Sequence, residues 1–290
     1  MMTPSKASQL LKTWFKARPL VLATMHRKEE AIAPIVEAAL GVQVVLPEGF
    51  DSDRFGTFAG NWPRPADQRT TALIKARAGL ELVGGDLAIA SEGSFGPHPV
   101  MPYLPCDREM VVLLDRRDGQ EFIVVGEDLT VETNFRRETI RSPDEVEAFL
   151  QQVGYPSHAV IVKTPGGEVF KGITRCRDLR AAVDRCLQQD GIVMLETDMR
   201  ALYNPTRMLA IARATQDLVS KLQQICPKCS APGFAAIDRL PGLPCGWCGQ
   251  PTSLTRSIRA RCQRCEFSQE TLFPDGVQTA DPMHCAFCNP

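Results

Sequence analysis

The sequence predicts an α/β domain followed by a small zinc-ribbon module. Three observations carry this: a βαβ opening from Pro19, a hairpin signal in the middle of the chain, and four CxxC pairs in the last 65 residues. The 290 residues are 44% hydrophobic, enough for one sizeable core plus a smaller unit. A net charge of -1 provides no global field to draw the protein to nucleic acid or an anionic membrane, so any such contact has to be local.

Residues 1–18 form a basic extension that carries Lys6, Lys12, Lys16 and Arg18 without an acid. Leu10, Leu11, Trp14 and Phe15 do not make a continuous apolar run, so the expectation is a short helix docking this face on a core, not a secretory signal, with an amphipathic organelle-targeting segment as the alternative. Residues 19–203 form the α/β domain. PLVLAT reads as a strand, KEEAIAPIVEAALG as a helix with a glycine stop, and VQVVLP as a second strand. Residues 50–65 read as a Gly/Pro-rich loop, DQRTTALIKARAGLELV as a helix, and DLAIAS as a strand that gives way to turns at EGSFGPHPVMPYLP. MVVLLD and EFIVVGED flank RRDGQ, whose Asp-Gly signals a hairpin and an antiparallel excursion. SPDEVEAFLQQVG and TRCRDLRAAVDRCLQQDG read as helices, with HAVIVKT and GIVMLETDMR as strands. A connecting helix over 204–225, capped by Asn204-Pro205, leads to the cysteine module at 226–290.

Cys226/Cys229, Cys245/Cys248, Cys262/Cys265 and Cys285/Cys288 share one spacing, and each CxxC turn presents two thiolates to one ion. Two structural zinc ions are expected. Cysteines used this way, without an export signal or an apolar run long enough to span a membrane, point to a reducing compartment, the cytoplasm, and to no membrane partner. Gaps of 15 residues from Cys229 to Cys245 and 19 from Cys265 to Cys285 favour sequential pairing. Interleaving is the alternative, since 13 residues separate Cys248 from Cys262; an iron-sulfur cluster is a lesser one. The module's six Lys/Arg against five Asp/Glu weaken a nucleic-acid reading, and Arg256, Arg259, Arg261 and Arg264 are expected to protect a solvated edge strand.

Three segments of the α/β domain point to an anion site. Thr24-Met25-His26-Arg27-Lys28 delivers a hydroxyl and three potential cations at a helix start, where phosphate is favoured, although taken alone the segment reads better as a solvated basic turn. Arg69 and Lys75 share the next helix, and Glu92-Gly93-Ser94 is expected at the carboxyl end of a strand, where ligands of α/β sheets gather. A fourth cluster, Glu196, Asp198, Arg200, Asn204 and Arg207, surrounds a strand-to-helix junction. It offers a second acid for Mg²⁺ in Asp198 and phosphate-binding cations in Arg200 and Arg207, or ion pairs among themselves.

At ATMHRKEEAI, TTALIKARAGL and LAIASEGSFG the sequence resembles the inosine triphosphate pyrophosphatase superfamily, which removes pyrophosphate from aberrant purine nucleoside triphosphates. The resemblance implies a curved mixed sheet with flanking helices and a two-lobed cleft, with Lys28 and Lys75 on phosphate and Glu92 on Mg²⁺ or water. It covers 19–126 by motif and 127–190 by element order. This sequence departs at Met25-His26, Thr71 and Ser91-Glu92, where that family has Asn, Asn and paired Asp. The whole chain also resembles an uncharacterised bacterial domain family with a C-terminal double zinc ribbon.

The expected function is therefore a Mg²⁺-dependent hydrolase of a nucleoside triphosphate or related phosphorylated nucleotide. Lys28, Lys75 and Glu92 would be catalytic, Thr24, His26, Arg69, Ser94, Arg200 and Arg207 would bind substrate, and Glu92 with Asp198 would hold Mg²⁺. The alternative is a non-catalytic nucleotide- or RNA-binding protein whose ribbons contact RNA or protein partners.

Overall fold

The structure is a computed structural model that describes residues 4–56, 65–117 and 119–290. Half of the expected 50–65 loop, residues 57–64, and Asp118 of the hairpin signal lie outside the described residues. The elements run α1 (Pro4–Phe15), β1 (Pro19–Ala23), α2 (Glu29–Leu40), β2 (Gln43–Val45), α3 (Gln68–Val83), β3 (Leu87–Pro97), β4 (Pro105–Asp115) and β5 (Phe122–Thr130). They continue as β6 (Arg137–Ile140), α4 (Pro143–Val153), β7 (Val160–Lys163), β8 (Val169–Ile173), α5 (Cys176–Asp190), β9 (Val193–Thr197) and α6 (Pro205–Leu222). Three strands close the chain: β10 (Ala236–Pro241), β11 (Thr255–Arg261) and β12 (Ser268–Leu272). Among the described residues no helix is long and apolar enough to cross a membrane.

The contacts divide the chain into two compact units. One is Arg18–Ala38 with Val42–Leu218; the other is Met1–Ala17, Ala39–Gly41 and Val219–Pro290. The first helix thus belongs with the cysteine-rich unit, and α6 contributes to both.

The larger unit holds two sheets. The first is mixed, in the order β2-β1-β3-β4-β5, with β1 parallel to β2 and β3, and β4 antiparallel to β3 and β5. α3 packs on it through a face of small residues. Ala72, Ala76 and Gly79 let the helix sit so close that a Cβ on Gly79 would lie 2.8 Å from the Ala23 Cβ. Lys75 falls on the same helical face, at i+3 from Ala72, so close packing drives its side chain toward the sheet.

The second sheet, β6-β9-β7-β8, is antiparallel throughout. One face is a core: Ile140, Val160, Val162, Val193 and Leu195 pack with Phe149 and Val153 of α4 and Leu179 and Val183 of α5. Alternation then places Arg137, Ile161, Lys163 and Glu196 on the opposite face. The sequence signal for this sheet was incomplete. β6 and β8 are short and carry one buried residue each, so no apolar run announced them.

Two other expectations change. β3 does not end at Ser91 but runs to Pro97, because each residue from Leu87 to Pro97 pairs with β4. Glu92 is therefore mid-strand, not at the carboxyl end. β11, which carries Arg256, Arg259 and Arg261, is the central strand of the three-stranded sheet and not an edge. Arg259 and Arg261 pair instead with Asp238 and Glu266.

Candidate anion cavity and cysteine centres

The turn before α2 is conformationally unusual: His26 and Arg27 are consecutive non-glycine residues in the left-handed region, at φ 62° and 59°. Such a conformation costs on the order of 1–3 kcal/mol per residue and persists where surroundings enforce it. It delivers Lys28 to the start of α2, where the Lys28 carbonyl accepts from the amides of Ala31 and Ile32. The Lys28 side chain points inward, and its Nζ donates to Ser91 Oγ at 3.1 Å. Burial first, then the charge of Arg207, push this ammonium down to about 8, against the pull of Glu109 and Glu92.

Lys75 and Glu92 form a buried ion pair at 2.5 Å. Gln68 fixes the strand beneath it, its Nε2 donating to the carbonyls of Glu92 and Arg108, each at 2.7 Å. On the same face as Ser91 and Gly93, Glu109 of β4 accepts from Arg207 Nε at 2.5 Å, while Arg207 Nη1 donates to the Met199 carbonyl at 2.7 Å. Both side chains are essentially inaccessible, at 0% and 2%. Gly93 is required there, since any Cβ would collide with Arg207 and Glu109 at 2.4 Å. Asp107, two residues along β4, is pushed up to about 7 by burial and by the Glu109 charge.

Lys28, Lys75, Ser91, Glu92 and Arg207 border one cavity of about 890 Å³ within the larger unit, lined from both sheets, whereas Gln68, Asp107 and Glu109 are not among its lining residues. Thr24, His26, Lys28, Lys75, Glu92, Asp198, Arg200 and Arg207 all line it. Arg69 and Ser94 do not: Arg69 is on the exposed side of α3, and Ser94 on the half-buried continuation of β3. Among the described lining residues, seven Lys and Arg side chains face three carboxylates, Glu92, Glu196 and Asp198. Arg207 is further paired with Glu109 behind the lining, and the remaining excess makes the local field of the cavity positive.

Asp198 is fully buried, and both its oxygens are engaged. Oδ1 accepts from the Arg200 backbone and Nε, and Oδ2 from Arg200 Nη2 at 2.6 Å and the Gly172 amide at 3.0 Å. Arg200 in turn stacks over Tyr203 at 4.7 Å. The Asn204 cap is present, its Oδ1 accepting from the Arg207 amide at 3.0 Å.

Sequence reasoning missed Gln68, Glu109, Arg137, Lys163 and Lys171. One signal was available. Asp107 and Glu109 stand at alternate positions leading into the apolar run MVVLL, so one strand face had to bury both.

In the smaller unit the eight cysteines form two clusters, Cys226/Cys229/Cys262/Cys265 and Cys245/Cys248/Cys285/Cys288. The pairing is thus interleaved, and the antiparallel sheet explains why. Ala236 at the start of β10 pairs with Ala260 at the end of β11, so the knuckles preceding β10 and following β11 meet at one end of the sheet. The knuckles following β10 and β12 belong to the other end. Loop lengths alone do not contain this register.

The sulfurs fit zinc. Four thiolates about 2.3 Å from a tetrahedral ion lie about 3.8 Å apart, and the closest cross-pair separations are 3.6 and 3.7 Å in one cluster and 3.6 and 3.8 Å in the other. These are far too long for disulfides, which need about 2.05 Å, and too short for a polynuclear cluster between the thiolates. Each knuckle closes on a backbone bond to the first cysteine's carbonyl, from Ser230, Gly249, Glu266 and Asn289. α1 packs on the first cluster through Trp14, over which Arg264 stacks at 5.0 Å.

A family model described as a domain of unknown function (DUF6671) matches residues 75–290, which take in Lys75, Glu92, Arg207 and all eight clustered cysteines. No curated protein and no solved structure matches the chain.

Proposed function

The chain belongs to the DUF6671 family, and we propose that its cavity binds a nucleoside triphosphate or related phosphorylated nucleotide and hydrolyses it with Mg²⁺. The observation that carries this reading is the convergence of Lys28, Lys75 and Glu92, from three separate elements, on one cavity with a surplus of cations. Lys28 and Lys75 would hold phosphate oxygens. Glu92 is the cavity-lining carboxylate that pairs with Lys75, and a single protein carboxylate there suits Mg²⁺ that arrives on substrate phosphates, since this ion keeps waters and commonly takes only one or two protein ligands. Mg²⁺ would neutralise charge on the phosphates. The protein's share is to orient the phosphates and to let Glu92 accept a proton or hold the metal as a water oxygen bonds to phosphorus and the bond to the leaving phosphate oxygen breaks. The mixed sheet, and the second sheet across the cavity, support the inosine triphosphate pyrophosphatase-like architecture that the motifs suggest.

The second reading, a binding protein without catalysis, draws on the engagement of Asp198 by Arg200 and Gly172. A second acid is thereby withdrawn from the metal. The two clusters of the smaller unit would hold structural zinc in either case, and that unit would serve contacts with RNA or protein.

Release of phosphate and pyrophosphate from standard and deaminated nucleoside triphosphates with Mg²⁺ separates the readings. Glu92→Gln is expected to lower release by about 10²-fold or more, the range for a positioned acid-base group. No release from any substrate by the wild type would leave the binding reading.

A further inference from the structure

The second sheet presents a wall to the cavity that the phosphate site does not use. Register places Arg137 of β6 opposite Glu196 of β9, which itself pairs with Ile161 of β7. Lys163, two residues further along β7, pairs with Val169 of β8, so Lys171 continues the same face. All of these line the cavity, and the other face of the sheet is apolar core. Glu196 is a nearly buried bridge whose two oxygens hold Arg137 Nε and Lys163 Nζ, each at 2.5 Å. One carboxylate therefore fixes two cations in place, and Lys171, exposed to the cavity, adds a third.

This wall is overcharged for a purely structural role. A single ion pair would satisfy Glu196, whereas three cations against one acid leave unbalanced positive charge facing the cavity. Holding two of them on a buried carboxylate also removes much of the side-chain entropy that binding an anion would otherwise cost. Lys28, from the turn before α2, and Lys75, from α3, reach the cavity from elements of the first sheet's layer, so cations enter it from two separate sources. The lining also includes apolar side chains suited to a base or sugar, Phe95, Phe135 and Ile161 among them.

We infer that the cavity takes a nucleotide bearing two separate anionic groups, one at the Lys28/Lys75 end and a second phosphoryl group on the Arg137/Lys163/Lys171 wall. This rests on the reading of the cavity as a nucleotide site and narrows its substrate class. The wall acts by binding alone, and no bond changes there.

Calorimetric titration of the full-length protein with adenosine and guanosine 5′-monophosphates and the matching 3′,5′-bisphosphates tests it. At least one bisphosphate is expected to bind about tenfold more tightly than its monophosphate, a difference of about 1.4 kcal/mol. Lys171→Ala should collapse that ratio to within about twofold, while Lys171→Arg preserves it, as charge-assisted recognition of phosphate requires. Monophosphates that bind with no gain for any bisphosphate, or a ratio that survives Lys171→Ala, would overturn the two-anion inference and leave the nucleotide site standing. Failure of every nucleotide to bind would overturn both.

Discussion

Replacing Cys226 and Cys262 together by serine is expected to leave one zinc per chain, whereas replacing Cys226 and Cys245 together removes both. The interleaved clusters dictate this. Cys226 and Cys262 share one site, so their loss spares Cys245, Cys248, Cys285 and Cys288; Cys226 and Cys245 belong to different sites. Sequential pairing predicts the reverse. The energetic effect is the largest in the molecule, because binding by a structural zinc site, about 10–16 kcal/mol in small zinc-binding peptides, is folding free energy for its unit. Cys226 and Cys262 are themselves members of a buried cluster with Ala231, flanked by Trp14, Phe234 and Phe267, so losing the ion also loosens this packing. Zinc stoichiometry by elemental analysis, with near-ultraviolet circular dichroism of Trp14 and Trp247, reads both consequences. No zinc in the Cys226/Cys262 variant, with one retained in the Cys226/Cys245 variant, would contradict the interleaved arrangement.

Arg207→Met is expected to destabilise the larger unit by about 3–5 kcal/mol, because it strands the Glu109 carboxylate at 0% exposure without its counter-charge. Glu109→Leu should cost a similar amount by leaving the guanidinium. The double variant should recover most of the loss, since replacing a buried pair by apolar groups of similar volume is often nearly neutral. Urea denaturation of the four proteins closes the cycle. Additive losses would show that Arg207 acts through contacts other than Glu109, such as its bond to the Met199 carbonyl. The pair also ties Arg207, which borders the cavity, to β4 through Glu109 and to the Met199 carbonyl.

The fold was legible where one element carried its own signal. The βαβ opening, α3 and the four CxxC turns are local patterns, set by a 3.6-residue period, a glycine stop or a metal-ligand spacing. What was not legible depended on partners distant in sequence. β3 extends through Gly93, Ser94 and Gly96, poor strand formers, because β4 supplies a hydrogen-bonded partner all the way to Pro105. Cysteine pairing follows from the register of β10 on β11, which no spacing encodes.

The candidate site divides in the same way. Lys28, Lys75 and Glu92 were legible as charges at apolar or turn positions, and the structure brings them to one cavity. Arg69, chosen because it shares a helix with Lys75, is six residues earlier and lies on the solvent side, while its neighbour Gln68 turns inward. Arg137, Lys163 and Lys171 were invisible as a group, because only the pairing of four short strands assembles them.

Calorimetric titration of the full-length protein with nucleoside triphosphates at pH 7 and pH 9, for wild type, Lys28→Ala and Lys28→Arg, tests the central claim that this cavity holds phosphate. Lys28, held down to about 8, carries its charge at the lower pH and has lost most of it at the higher. Wild-type affinity should therefore fall about tenfold between the two as a charge-assisted phosphate contact is lost. Lys28→Ala should bind weakly at both pH values, and Lys28→Arg should bind with little change between them. Wild-type affinity that is independent of both pH and Lys28, or the absence of binding by any triphosphate, would contradict the account.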